Sequence, residues 1–147
     1  MTTMTFDDYA NEWQKDAPLD ASELDAAARE VPILHAKWWR YYVAERLRFK
    51  KLDYEYKSLY HLRYEYWNGR LDDEVRKTQG WPVQPIKVLS PQLPIYLDAD
   101  PVLQDLAKRK TVIEETLKFI EDVIKQINHR GFLINSAISY LKFKMGV

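Results

Sequence analysis

LQDLAKRKTVIEETLKFIEDVIKQINHRGFLINSAISYLKFKM, residues 103–145, decides the fold. Within it Leu103, Leu106, Ile113, Leu117, Ile120, Ile124, Ile127, Ile134, Ile138, Leu141 and Met145 keep one four-three register, and only Lys110 and Gly131 interrupt it. That spacing returns side chains to one face of an α-helix. Because the register survives Gly131, a nearly continuous helix, locally weak at His129-Arg130-Gly131, is expected in preference to a hairpin turned there. Val112, Phe119, Leu133 and Tyr140 add a second apolar row and make the face wider than a two-stranded zipper needs. Such a helix is about 65 Å long at 1.5 Å per residue, more than one small domain covers. The expectation is therefore a homo-oligomer of more than two chains, joined through Leu106, Ile113, Leu117, Ile120, Ile124, Ile127, Ile134, Ile138 and Leu141.

Upstream, Asp100-Pro101 reads as the start of this helix, with aspartate as N-cap and proline at the first helical position. Residues 71–100 contain Gly80, Pro82, Pro85, Pro91 and Pro94, which rule out one continuous helix. Ile86–Ser90 and Ile95–Asp98 look extended, so a linker with at most a small β-hairpin is predicted. From Leu34 to Trp67 there is neither Gly nor Pro, and Asn68-Gly69 supplies a stop. Leu34, Trp38, Tyr42, Phe49, Leu52, Tyr56, Tyr60 and Trp67 share one stripe of that long helix, which predicts a packed face. Before it, Asp20-Ala-Ser-Glu23 has the form of a capping box, leading into a helix kinked at Pro32. The fold class expected is mainly α, with long helices, a Pro-rich linker and a C-terminal heptad helix forming a bundle or ring. The divisions fall at residues 1–70, 71–100 and 101–147.

The 147 residues suit one folded unit, and 22 Lys and Arg against 22 Asp and Glu leave no net charge. That neutrality is a cancellation. Residues 1–34 hold eight acids and two bases, whereas residues 35–70 hold nine bases and four acids. Eleven of the twenty aromatic residues lie between Trp38 and Trp67, so bases and rings coincide. Cations meet phosphates and rings meet bases, which is what a single-stranded nucleic acid requires of a surface. Opposite the packed stripe, Trp39, Arg46, Lys50, Lys57, His61 and Tyr64 collect on a second face about 37 Å long by the helical rise. Arg46, Lys50 and Lys57 would contact phosphates and Trp39 or Tyr64 would stack, while Asp53 with Lys57 and Lys51 with Glu55 form i, i+4 pairs that partly neutralise the face.

Other chemistries find little support. The absence of cysteine removes disulfides, thiolate metal sites and a cysteine nucleophile, and fits a reducing intracellular compartment. The four glycines write neither a phosphate-binding loop nor a dinucleotide fingerprint, and His35, His61 and His129 lack metal-ligand spacing, so no cofactor is expected. Asp98 with Asp100, or Asp72-Asp73-Glu74, could serve a magnesium-dependent nuclease, but a cap and a solvated linker explain them more simply. The acidic N-terminal stretch does not read as a signal peptide, Gly131–Leu141 is too short to cross a bilayer, and a soluble protein is expected. The acidic arm is read as a solvated helix and frayed terminus, ahead of a partner-binding segment or an arm that folds over the basic helix of its own or a neighbouring subunit and competes with nucleic acid.

Four motifs, His35-Ala-Lys37-Trp38, Leu62-Arg-Tyr-Glu-Tyr-Trp-Asn-Gly-Arg70, Val88-Leu89-Ser90 and Arg130-Gly131-Phe132, stand in an order and spacing that resembles the UvsY-type recombination mediators of T-even-like bacteriophages. The resemblance runs from about residue 18 to the C-terminus. It implies a protein that binds single-stranded DNA and forms a closed homo-oligomer of six or seven subunits through its C-terminal region. It further implies that the protein helps a RecA-like recombinase replace single-strand-binding protein, in the cytoplasm of an infected bacterium and without catalysing a reaction. The family's DNA-binding motif pairs a lysine with an arginine two residues on, just before the Gly-Arg stretch. Here the arginine is Arg63 but the lysine position is His61, and neutral histidine offers little to phosphate near pH 7. Arg63 also lies on the aromatic stripe, about 160° from His61 on the wheel, so either the helix ends or distorts before Asn68, or Arg63 has a structural role such as pairing with an acid across an interface. The DNA contacts expected are Arg46, Lys50, Lys57, His61, Arg63, Tyr64 and Arg70. The alternative is a coiled-coil adaptor that binds only proteins.

Overall fold

Two helices of 44 and 45 residues, α2 (Leu24–Trp67) and α5 (Pro101–Met145), dominate the computed structural model, which describes residues 3–147. The others are α1 (Phe6–Asp16), α3 (Asp73–Gln79) and α4 (Leu93–Asp98), with a 3-10 turn at Ser90–Gln92; no strand occurs among the described residues. The chain divides into two compact units. One comprises the described residues up to Leu47 with Ile113–Val147, the other Arg48–Val112.

In the first unit, Trp38, Leu34 and Tyr9 bury themselves against Ile120, Val123 and Ile127 of α5, with Trp13, Tyr41, Tyr42, Phe119 and Ile124 around them. The Trp38 ring is fully buried and meets Trp13 and Tyr41 edge-on, at centroid distances of 5.8 and 5.1 Å. The N-terminal segment is thus a docked helix, not a frayed arm. Thr5 caps it, its hydroxyl accepting from Asp8 N–H while the Asp8 carboxylate accepts from Thr5 N–H. Tyr9 donates to Glu45 at 2.8 Å, and Asp16 accepts from Lys37 at 2.8 Å and from the Trp38 indole at 2.9 Å. Burial alone would lower the Lys37 ammonium, but hydrogen bonds and charge from Asp16 and Glu12 outweigh it and hold the group above the usual lysine range. Arg130 closes the end of α1 by donating to the carbonyls of Asp16 and Ala17.

α2 differs from expectation in how it begins. The Asp20 carboxylate accepts from the backbone and hydroxyl of Ser22, an Asx turn that consumes it, so no capping box forms and the helix begins at Leu24. Pro32 lies inside an unbroken helix, costing one ladder hydrogen bond without ending it. The far end follows the sequence signal: Gly69 adopts φ 80° and Arg70 N–H returns to Glu65 carbonyl at 2.9 Å, a Schellman stop.

The second unit holds a smaller core of Val88, Leu93, Leu97 and Leu103, with Tyr56, Leu59 and Trp67 against it. Ile95–Asp98 is helical, not extended, because Pro91 and Pro94 occupy first-turn positions where a missing N–H costs nothing.

α5 runs through Gly131 without a break, as its register implied. Its seam, however, is covered largely from within: Leu106, Ile113, Ile120, Ile127 and Ile134 are buried and Leu117 and Ile124 half-buried in the single chain. Around Ile120 and Ile127 the covering residues are Leu34 and Trp38 of α2 and Tyr9 of α1. Ile138 and Leu141 remain exposed, with Tyr140, Phe143 and Met145.

Trp38→Ala is expected to lower unfolding stability by about 3–5 kcal/mol, since it empties the centre of the first core. Gly131→Ala should raise stability by about 1 kcal/mol, because no atom lies within 4 Å of an added methyl and alanine favours a helix interior. Urea unfolding followed by circular dichroism measures both.

Candidate nucleic-acid interface

The end of α2 is held by a carboxylate. Asp100 caps α5 by accepting from Val102 N–H at 3.0 Å, and it also accepts from Arg63 Nε at 2.6 Å, Arg63 Nη2 at 3.0 Å and the Trp67 indole at 3.0 Å. Arg63 is 5% exposed and Asp100 1%. The guanidinium lies 4.4 Å from the Tyr66 ring and 4.6 Å from that of Trp81. Arg63 therefore has an acid partner, one of the two outcomes expected, but the acid belongs to the same chain and not to a neighbour across an interface. Its Nε and Nη2 donors face Asp100 and rings flank its plane, so the structure does not present Arg63 as an open cation on the helix face.

The open face of α2 is built differently. In the second unit Lys50, Tyr54, Lys57, His61 and Tyr64 are exposed on it. Lys57 pairs with Asp53 at 3.1 Å, as expected, and Lys110 binds the other Asp53 oxygen at 2.9 Å. Lys110, an interruption in the α5 seam, is thus an intrachain ion-pair partner whose ammonium sits 4.7 Å from the Tyr56 ring. Lys51 and Glu55 form no ion pair among the described residues. In the first unit Trp39, Val43, Arg46 and Leu47 are exposed, and Trp39 stacks on Tyr42 at 5.3 Å. Arg46 and Lys50 have no ion-pair partner among the described residues. Arg70 is exposed beyond the helix stop, its backbone N–H bonded to Asn68.

Sequence reasoning passed over Tyr54, although it lies four residues beyond Lys50 on the same face and is 65% exposed. Val43 and Leu47 were also missed; their apolar character hid them.

The acids considered for magnesium have other occupations. Asp72 caps α3 by accepting from Glu74 N–H at 2.8 Å, Asp98 ends α4, and Asp100 is spent as described. No group of three His, Cys, Asp or Glu able to hold a metal assembles among the described residues. No helix among them is long and apolar enough to cross a membrane.

These features define an all-helical protein of two long helices, one of which offers a basic and aromatic face. The family model described as "Recombination, repair and ssDNA binding protein UvsY" matches residues 12–147, and the chain belongs to that family. Crystal structures of the bacteriophage T4 recombination mediator protein UvsY share the fold. One lattice form superimposes with a TM-score of 0.84 at 20% identity, covering 95% of this chain and 99% of that one. A second gives 0.85 at 20% identity, covering 97% and 99%. No curated protein sequence matches significantly.

The hydrogen bond from Lys110, followed by that from Lys57, holds the Asp53 carboxyl below the usual aspartate range. Its pairing therefore supports the fold at all pH above the unfolded value of about 3.9 and is lost only as acid passes the lower folded value. Side-chain carboxyl NMR should find the Asp53 midpoint below that of a free aspartate and returned toward it in Lys110→Met.

Proposed function

We propose that this chain binds single-stranded DNA without sequence preference along the open face of α2 and helps a RecA-like recombinase assemble in place of single-strand-binding protein during phage recombination and repair. The observation that carries the reading is the unpaired Lys50 on a helix face with the exposed rings of Tyr54 and Tyr64, in a chain of this family. Arg46 supplies an unpaired cation one turn earlier on the same helix. Lys57 adds a third, since a surface ion pair is worth only about 0–1 kcal/mol and yields readily to phosphate. His61 and Arg70 stand exposed at the end of the face. Phosphates neutralise the bases while bases stack on the rings, and no bond is broken.

On this reading DNA contacts fall within residues 1–70 and self-association within 101–147. The exposed Ile138, Tyr140, Leu141, Phe143 and Met145 support assembly, because a second copy would remove them from water. Repetition of a weak site around a homo-oligomer multiplies affinity through effective concentration, which lets a neutral chain hold a polyanion. Val43 and Leu47 favour a second reading, an adaptor whose helix face takes an apolar protein partner.

Fluorescence anisotropy with labelled oligothymidylate separates the two. The logarithm of affinity should fall linearly with the logarithm of salt, and Arg46→Gln or Lys50→Gln should each reduce that slope by about 0.7, the share of one phosphate on a single strand. No binding at low salt by the wild-type protein would overturn the DNA reading and leave the adaptor.

A further inference from the structure

We infer that Arg63 and Asp100 serve DNA binding as a positioning pair: the bridge fixes the last turn of α2 so that Tyr64 is presented for stacking, and Arg63 itself touches no phosphate. This rests on the reading of the open face given above.

A cation beside exposed rings at the end of a basic helix has the composition of a phosphate contact, but its geometry is the opposite. Both Arg63 donors that face Asp100 are engaged, at 2.6 and 3.0 Å, in the fork that a carboxylate fits best. The Asp100 side chain is wholly buried and that of Arg63 is 6% exposed. Tyr66, Trp81 and Trp67 lie 4.4, 4.6 and 5.6 Å from the guanidinium carbon. For Arg63 to reach a phosphate it would have to leave this enclosure and strand a buried charge. Tyr64, the next residue, is exposed. It stands in the last turn of α2, which ends at Trp67 and is turned aside at Gly69, and last turns fray unless something ties them. Here Arg63 and Trp67 tie this turn to the first residues of α5 through one carboxylate.

The experiment measures oligothymidylate affinity over a salt series for the full-length wild type, Arg63→Gln, Asp100→Asn, the Arg63→Gln/Asp100→Asn double variant and Tyr64→Ala alone and combined with Arg63→Gln. Circular dichroism confirms folding at the temperature used. Asparagine caps a helix about as well as aspartate, so Asp100→Asn isolates the bridge. Positioning predicts that Arg63→Gln and Asp100→Asn lose affinity by a similar factor, roughly tenfold, while keeping the wild-type salt slope. The double variant should be no worse than either single change, because no unpaired buried charge remains. Tyr64→Ala should cost about tenfold in the wild type and under about twofold beside Arg63→Gln, a coupling that general loss of stability does not produce. The inference is overturned if Asp100→Asn binds as well as or better than wild type, if Arg63→Gln flattens the salt slope as Lys50→Gln does, or if the Tyr64 and Arg63 effects simply add. Should Arg63→Gln fail to fold, Asp100→Asn and the double variant still decide the matter. Failure of the wild type to bind overturns the reading of the face itself, a separate outcome.

Discussion

A carboxylate taken out of water needs donors that meet it from fixed positions, and Asp100 is met from three directions. Val102 N–H approaches from the start of α5, the Arg63 fork from the end of α2, and the Trp67 indole from one turn further along. The constraint is mutual. The end of one long helix and the beginning of the other must converge on one point, and the intervening residues must return to it. Val88, Leu93 and Leu97 pack beside Trp67 and Leu103 in that return, and Tyr66 binds Pro82 carbonyl at 2.7 Å.

The first unit uses the same logic with different groups. Glu45 and Arg130 are buried, and each meets the N-terminal helix: Glu45 accepts from Tyr9, and Arg130 donates to the carbonyls that end α1. Lys37 and Trp38 bind its last carboxylate, Asp16. An acidic helix is thereby held on a basic one by charge-assisted bonds around an aromatic core.

The residues that carry the family resemblance turn out to be mainly these fasteners. Lys37 and Trp38 dock α1, Arg130 caps it, Arg63 binds Asp100, and Val88 enters the second core while its N–H meets Trp67 carbonyl at 3.1 Å. Each demands a particular partner at a particular distance, so its identity is restricted. The exposed cations Arg46 and Lys50 need only carry charge toward solvent. A motif can thus reveal kinship through the scaffold while saying little about which atoms meet a ligand, and this is why Arg63 reads as a contact in the sequence and as a fastener in the fold.

The sequence by itself determined the two long helices, the stop at Gly69, the cap at Asp100, the passage of α5 through Gly131 and, except at the exposed Tyr60, the separation of a packed from an open face on α2. All of these follow from side-chain periodicity or from the chemistry of a few adjacent residues, which are local properties. It left open whether the N-terminal arm docks, and it did not reveal that Asp20 turns to Ser22, that the prolines of the linker begin short helices, or that most of the α5 seam is covered within the chain. Those outcomes depend on which distant residue arrives to satisfy a face or a charge. Periodicity shows that Ile120 and Ile127 must be buried, but only the tertiary structure decides that Trp38 and Tyr9 bury them, because a hydrophobic face specifies the need for a partner and not its identity.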